Sequence, residues 1–234
     1  MLVIFDCDGV LVDSEIISAQ VSCACLAEQG VIISEREILE RYRGKSVADC
    51  IRLLTERLAQ EPSWQGFDEE ERATRGAALW RHIQLQTLVA CDAGLEPVAG
   101  VVKVLETLQT MRIPFCVGSN GKHEKMAKTL VKTDLLRFVE GRVFSFEDVS
   151  RGKPAPDLFL HAAKTLGAAT ADTVVVEDSL TGVQAALAAG MRPLAYCPPD
   201  ADGSDNVLLM DMRALGAECF YSMDELIPLL LREV

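Results

Sequence analysis

The chain has 234 residues, 49% of them apolar, and a formal charge of −12. That length accommodates one large domain, or a domain carrying an insertion. The acidic balance argues against long nucleic acid as a partner, because such binding rests on Lys and Arg neutralising phosphates, whereas a small anion stays compatible wherever a local cation reverses the field.

The eight cysteines lie mostly inside apolar runs and show no Cys-x-x-Cys spacing. Neither a zinc site nor disulfides are expected from them, and a reducing cytoplasm is the expected location. Met1 to Phe5 reads as a strand rather than a leader, and no apolar run reaches the roughly 18 residues of a membrane helix. No membrane partner is expected.

Leu2-Val3-Ile4-Phe5 is a short continuous apolar run that ends in acidic residues and a glycine, the pattern of a buried parallel strand. From Ser14 to Gly94 the pattern turns helical, with no convincing strand. Ile51, Leu54 and Leu58 mark one helical face, Leu79, Ile83, Gln86 and Ala90 another, and Pro62 to Gly66 reads as a turn. Sheet-type patterning resumes near Pro97. Strands are predicted over Pro114 to Gly118, Arg142 to Ser145, Thr173 to Val176 and Arg192 to Tyr196. Helical spacing connects Val101, Val104, Leu105, Leu108 and Met111, then Leu158, Ala162 and Leu166, then Val183, Ala186 and Leu187, with Gly190 as the stop. Strands alternating with helices predict an α/β fold: a Rossmann-like, doubly wound parallel sheet formed by residues 1–13 and 96–234, with an all-helical cap inserted at 14–95.

Four predicted strand ends carry polar residues, and ligands of open parallel sheets bind beyond such ends. Asp6 and Asp8 follow the first strand, two apart, so both carboxylates can turn to one side. Adjacent carboxylates repel unless a cation or a shared proton intervenes, and magnesium suits hard oxygen ligands. Ser119-Asn120-Gly121 follows the second strand and offers a hydroxyl and backbone N–H groups to an anion. Taken alone, Ser119 reads more simply as a helix cap. Lys153, kept out of a helix by Pro154, can neutralise phosphate charge at the rim, or stand as a solvated lysine. Glu177-Asp178 follows a Val-Val-Val strand, where the two carboxylates can serve a metal or cap a helix.

Taken together, Asp6-Cys7-Asp8-Gly9-Val10, Val117-Gly118-Ser119-Asn120, Gly152-Lys153-Pro154 and Val176-Glu177-Asp178-Ser179 resemble, in order and spacing, the motifs of the haloacid dehalogenase superfamily of phosphohydrolases. The resemblance spans nearly the whole chain. The helical insertion is similar to the cap of the phosphoglucomutase-like and sugar-phosphate phosphatase branch. The resemblance implies a magnesium-dependent phosphatase acting on a small phosphorylated metabolite through an aspartyl-phosphate. Asp6 would be the nucleophile and Asp8 the general acid and then base. The ion would be held by Asp6, the Asp8 backbone carbonyl and Asp178, with Glu177 behind them. Ser119, Asn120 and Lys153 would hold the phosphoryl group. A monomer or small homo-oligomer is expected.

Arg43-Gly44-Lys45 resembles the substrate-specificity loop of the family's cap, where two cations around a glycine can reach an anion. A solvated basic turn is the plainer reading. Gly44-Lys45-Ser46 is similar to the end of a nucleotide P-loop, but Leu39 stands where that loop needs its first glycine. The nearest alternative function is a sugar-phosphate mutase of this branch. Such mutases carry a cap histidine twelve residues after the nucleophile, and here that position is Ser18. Dehalogenase and phosphonatase branches lack the second aspartate, which is present as Asp8. A non-catalytic phosphometabolite-binding protein on the same fold is the alternative from another class.

Overall fold

The computed structural model describes residues 1–43, 45, 47–199 and 203–232. The chain divides into two compact units, Met1–Asp13 with Glu96–Val234, and Ser14–Leu95. In the first unit, β1 (Leu2–Phe5) pairs in parallel with β2 (Phe115–Ser119) on one side and β4 (Thr173–Glu177) on the other. β3 (Val143–Ser145) extends the sheet beyond β2, and β5 (Arg192–Tyr196) and β6 (Glu218–Phe220) extend it beyond β4. All four residues of β1 are fully buried, so Leu-Val-Ile-Phe is apolar on both faces because both faces are covered. The order β3-β2-β1-β4-β5-β6 reverses direction at β1, and in such sheets the crevice at that reversal is where ligands bind.

The sequence reading anticipated five of these strands and missed β6. Its three residues are too few to register as an apolar run, and among the described residues it pairs only with β5. An ion pair of 2.6 Å between Arg192 and Glu218 ties the edge strand β6 to β5.

The second unit is helical. It contains α1 (Ser14–Glu28), α2 (Glu35–Tyr42), α3 (Val47–Leu58) and α4 (Glu69–Gly94), with a single 3-10 turn at Pro62–Trp64. Ser34 caps α2, and Asp68 with Glu71 forms a capping box on α4, so polar side chains satisfy these starts. Ala19, Leu26, Val31, Leu54, Leu58, Trp64 and Ile83 form its core. On α4 the buried face runs through Ile83, Thr87 and Cys91, while Gln86 is exposed. The four-residue step keeps those three on one side, and small Thr and Cys side chains are weak markers of that face in sequence.

The remaining helices flank the sheet of the first unit: α5 (Val101–Thr110), α6 (His123–Lys132), α7 (Leu136–Val139), α8 (Asp157–Thr165), α9 (Leu180–Ala188), α10 (Leu209–Ala214) and α11 (Leu226–Leu231). Leu158, Phe159 and Ala162 of α8 and Ala185 and Ala186 of α9 pack with Leu2, Ile4 and Cys116 of the sheet. Gly190 takes a left-handed φ of 69° just after α9, which a glycine adopts without strain. Two backbone crossings to the helical segment leave this unit side by side: Asp13 N donates to Glu96 O at 3.1 Å, and Val98 N to Leu11 O at 2.9 Å. Among the described residues no helix is long and apolar enough to cross a membrane.

The fully buried Leu158 gives a direct test of the sheet-to-α8 packing. Leu158→Ala is expected to lower unfolding free energy by about 2–5 kcal/mol, the cost of deleting a buried leucine side chain. Urea unfolding followed by circular dichroism measures it; a loss under about 0.5 kcal/mol would contradict the packing.

Candidate active site

Four strand ends converge on one rim. Asp6 follows β1, and its backbone N donates to Val176 O of β4 at 2.9 Å, so the first carboxylate is carried against β4. β4 ends in Glu177, and Asp178 follows. β2 ends in Ser119, whose register partner is Ser145 at the end of β3. The loop after β3 brings Lys153 back to the same rim.

Lys153 lies at the centre. Its side chain is 3% exposed, and Nζ donates to Asp6 Oδ1 at 2.7 Å and to Glu177 Oε1. Nζ also stands 5.0 Å from the centroid of the Phe159 ring, a favourable seat for a cation. Burial opposes the charge on Lys153, but the Asp6 and Glu177 carboxylates outweigh it and push its pKa above the ordinary lysine value. The ammonium therefore persists.

Glu177 is fully buried and both its oxygens are engaged. Oε1 accepts from Lys153, and Oε2 accepts from Asp178 N at 3.1 Å, Ser179 N at 3.0 Å and Ser179 Oγ at 2.8 Å. The last two donors belong to the start of α9, where Ser179 is the N-cap and also accepts from Gly182 N. An anion at a helix start is favoured by unpaired N–H groups and the helix dipole. A Cβ at Gly182 would lie 1.9 Å from Glu177 Cδ, so only glycine lets the first turn of α9 close over this carboxylate.

Asp6, Glu177 and Asp178 each offer a carboxylate oxygen within 4.8 Å of the others, and all three are buried. Two of these carboxylates, Asp6 and Glu177, share the Lys153 ammonium, so with all three ionised the carboxylates outnumber it. Burial pushes the Asp6 carboxyl up, to about 7, with Lys153 pulling it down and Glu177 and Asp8 adding to the rise. A divalent cation fits this donor set in charge and in oxygen chemistry. The backbone fits as well. Gly9 has φ +80°, and a Cβ there would lie 2.1 Å from Asp178 Oδ2, so the loop after β1 presses its backbone against that carboxylate. Both oxygens of Glu177 are already engaged within the protein, which suits a place behind such an ion rather than against it.

Asp8 stands apart from this triad. Its Oδ2 accepts from Lys125 Nζ at 2.7 Å, with both side chains only partly buried. Sequence reasoning missed Lys125. The signal was present: a lysine in the first turn of α6 faces the positive end of the helix dipole, which is unfavourable unless an acid compensates it. Ser119, 3% exposed, accepts from Gly121 N at 3.1 Å, and Ser145 Oγ donates to Gly121 O at 2.7 Å. These bonds fix the turn between β2 and α6. Asn120 Nδ2 donates to Lys153 O at 3.0 Å and its Oδ1 accepts from Lys153 N at 2.9 Å.

The structure thus brings Asp6, Glu177, Asp178 and Lys153 together, with Asp8 beside them and Ser119 and Asn120 on the adjoining turn. Of the segment expected to set specificity, Arg43 lies at the end of α2 and pairs with Glu15 of α1, and Lys45 is exposed. Gly44 and Ser46 lie outside the described residues.

A parallel sheet that gathers buried carboxylates and a lysine at its central reversal is an α/β enzyme scaffold with a charged rim where such sheets bind ligands. Residues 1–190 match the family model of haloacid dehalogenase-like hydrolases, and the chain belongs to that family. It is 29% identical to a 6-phosphogluconate phosphatase of Escherichia coli strain K12 over 196 residues, 83% of this chain and 81% of the relative. It is 31% identical to a probable pseudouridine-5'-phosphatase of Drosophila melanogaster over 201 residues, 84% and 81% of the two chains. Among solved structures, a HAD family hydrolase from Deinococcus radiodurans R1, with bound phosphate and sodium, superposes with a TM-score of 0.79 at 28% identity, covering 98% of this chain and 94% of that one.

Gly182→Ala is expected to drive the Glu177 carboxylate from its seat and to lower stability by about 1–3 kcal/mol, the usual cost of overpacking a filled site. Chemical denaturation checks this. An unchanged midpoint would mean that α9 does not close over Glu177.

Proposed function

We propose that the chain is a magnesium-dependent phosphatase that hydrolyses small phosphomonoesters, sugar phosphates or related metabolites, through an aspartyl-phosphate on Asp6. It is a phosphoric monoester hydrolase of its family. The observation that carries the reading is the buried set itself: Asp6, Glu177 and Asp178 around one lysine at the reversal of the sheet. The phosphatase names of the relatives and the bound phosphate of the Deinococcus hydrolase support it.

In this reading Asp6 attacks the phosphorus in line, and the bond from phosphorus to the ester oxygen breaks. Asp8 gives its proton to the departing oxygen. Asp8 then takes a proton from water, the water oxygen attacks phosphorus, and phosphate leaves with Asp6 restored. Lys153 and Ser119 hold the phosphoryl oxygens, so approach of an anionic ester to the Asp6 carboxylate is not prevented by repulsion. Asp6, Asp178 and the backbone carbonyl of Asp8 would hold the magnesium ion, which when bound would supply charge neutralisation for an anionic phosphoryl group. Glu177 keeps Lys153 in place. Substrate selection is assigned to Arg43, Gly44 and Lys45.

The test is release of inorganic phosphate from a broad panel of metabolite phosphates with magnesium present. Turnover is expected for a subset, abolished by EDTA and restored by added magnesium. Asp6→Asn is expected to lower kcat by about 10⁴-fold or more, and Asp178→Ala to weaken magnesium affinity. No turnover on any ester would sink the phosphatase reading, and retained metal-dependent turnover in Asp6→Asn would sink the nucleophile.

A further inference from the structure

We infer that the Asn120 side chain is a positioning residue, a two-point clamp that holds Lys153 at the catalytic rim, rather than a contact to the phosphoryl group. The inference rests on the proposed role of Lys153 above.

Lys153 has to reach the rim from a loop, not from a strand. It lies between the 3-10 turn Phe146–Asp148 and α8, so the sheet ladder does not fix its backbone. Its ammonium nonetheless meets two carboxylates in a buried space. A small drift of the backbone would carry Nζ away from both, and a misplacement of about 1 Å in a reacting group can cost about a hundredfold in rate.

Asn120 supplies the missing restraint. A carboxamide presents one donor and one acceptor side by side, the same pair that a backbone residue presents. Here Nδ2 donates to the Lys153 carbonyl and Oδ1 accepts from the Lys153 N–H, at 3.0 and 2.9 Å. Both peptide groups of the lysine are thereby tied to the residue that follows β2. Asn120 is itself anchored by the fixed turn around Ser119, Gly121 and Ser145. The clamp thus connects Lys153 to the end of a central strand.

The neighbouring glycine is accounted for by the same contact. A Cβ at Gly152 would lie 2.5 Å from Asn120 Oδ1 and 3.1 Å from Phe146 Cβ. Only glycine lets the loop come close enough for both bonds. Gly152 and Asn120 are therefore two halves of one fit, although they lie far apart in sequence. Asn120 is exposed, but two bonds in parallel orient the lysine backbone more tightly than one would. With one N–H and the carbonyl oxygen engaged by Lys153, a direct phosphoryl contact through the side chain would be left to the second amide N–H.

The experiment compares Asn120→Ala and Asn120→Asp with the wild type by two readouts. One is the rate at which Lys153 is acylated by acetic anhydride without substrate, followed by mass spectrometry and normalised to the exposed Lys128. The other is kcat/KM for p-nitrophenyl phosphate with magnesium. In Asn120→Asp the carboxylate keeps an acceptor for the Lys153 N–H but sets an oxygen against the Lys153 carbonyl, so this variant preserves shape while breaking one of the two bonds. The expected result for both variants is Lys153 labelling faster by about tenfold or more, with kcat/KM lower by about tenfold to a hundredfold. Lost turnover with Lys153 still protected would overturn the inference in favour of direct contact. Turnover equal to wild type in both variants would overturn it too. Lys153→Ala separates this from the underlying reading. If that variant keeps wild-type turnover, the role of Lys153 fails. If it loses turnover while the Asn120 variants keep theirs, only the clamp fails.

Discussion

A lysine with 3% of its side chain exposed cannot remain charged without partners, and the partners of Lys153 organise the rim of the sheet. Removing an ammonium from water costs several kcal/mol, recovered only where opposite charges and hydrogen bonds surround it closely. Asp6 and Glu177 meet that need because they end adjacent parallel strands, Phe5 being the register partner of Val176. Glu177 in turn needs donors for its second oxygen: Asp178 N provides one and the start of α9 provides two. The requirement then reaches Gly182, which leaves room for the carboxylate, and Gly9, which leaves room for Asp178. A chain of local fits runs from one buried charge to two glycines on different elements.

The arrangement is not the one that stability alone would select. Buried ion pairs are often no better than apolar groups of the same shape, and here the carboxylates outnumber the ammonium. The surplus negative charge adds to the rise that burial imposes on Asp6. Such sets persist where the surplus has a use. In the proposed reaction it holds a metal ion, and the ion together with Lys153 lets an anionic ester approach an anionic nucleophile.

The sequence made the strand-end residues legible because parallel topology has a simple consequence. A buried apolar run followed by acids or a hydroxyl puts those groups on one rim, whatever the intervening lengths. Asp6, Ser119, Lys153 and Glu177-Asp178 were accessible on that basis, as were the α/β class and the helical nature of 14–95. What the pattern could not supply was pairing. Asp6 with Lys153, Asn120 with the Lys153 backbone and Asp8 with Lys125 each join residues distant in sequence, and periodicity carries no information about such partners. The close fits at Gly152 and Gly182 likewise depend on Asn120 and Glu177, which face them from other elements. β6 escaped for a different reason: three edge residues, two of them only partly buried, leave no apolar run.

The two aspartates after β1 illustrate why pairing matters. Set two residues apart, their carboxylates would be expected to repel and to share a proton or a cation. The structure gives each its own cation instead. Lys153 comes from the loop before α8 and meets Asp6 in a buried space, while Lys125 comes from α6 and meets Asp8 where both side chains are partly exposed. Two separate elements therefore supply the two counter-charges. In the proposed reaction the buried pair would hold Asp6 still for attack, and the more exposed pair would leave Asp8 in reach of water and of a departing oxygen. Two identical side chains on one loop thus acquire different surroundings from the elements that reach them, and Asp-x-Asp in the sequence cannot by itself reveal which is which.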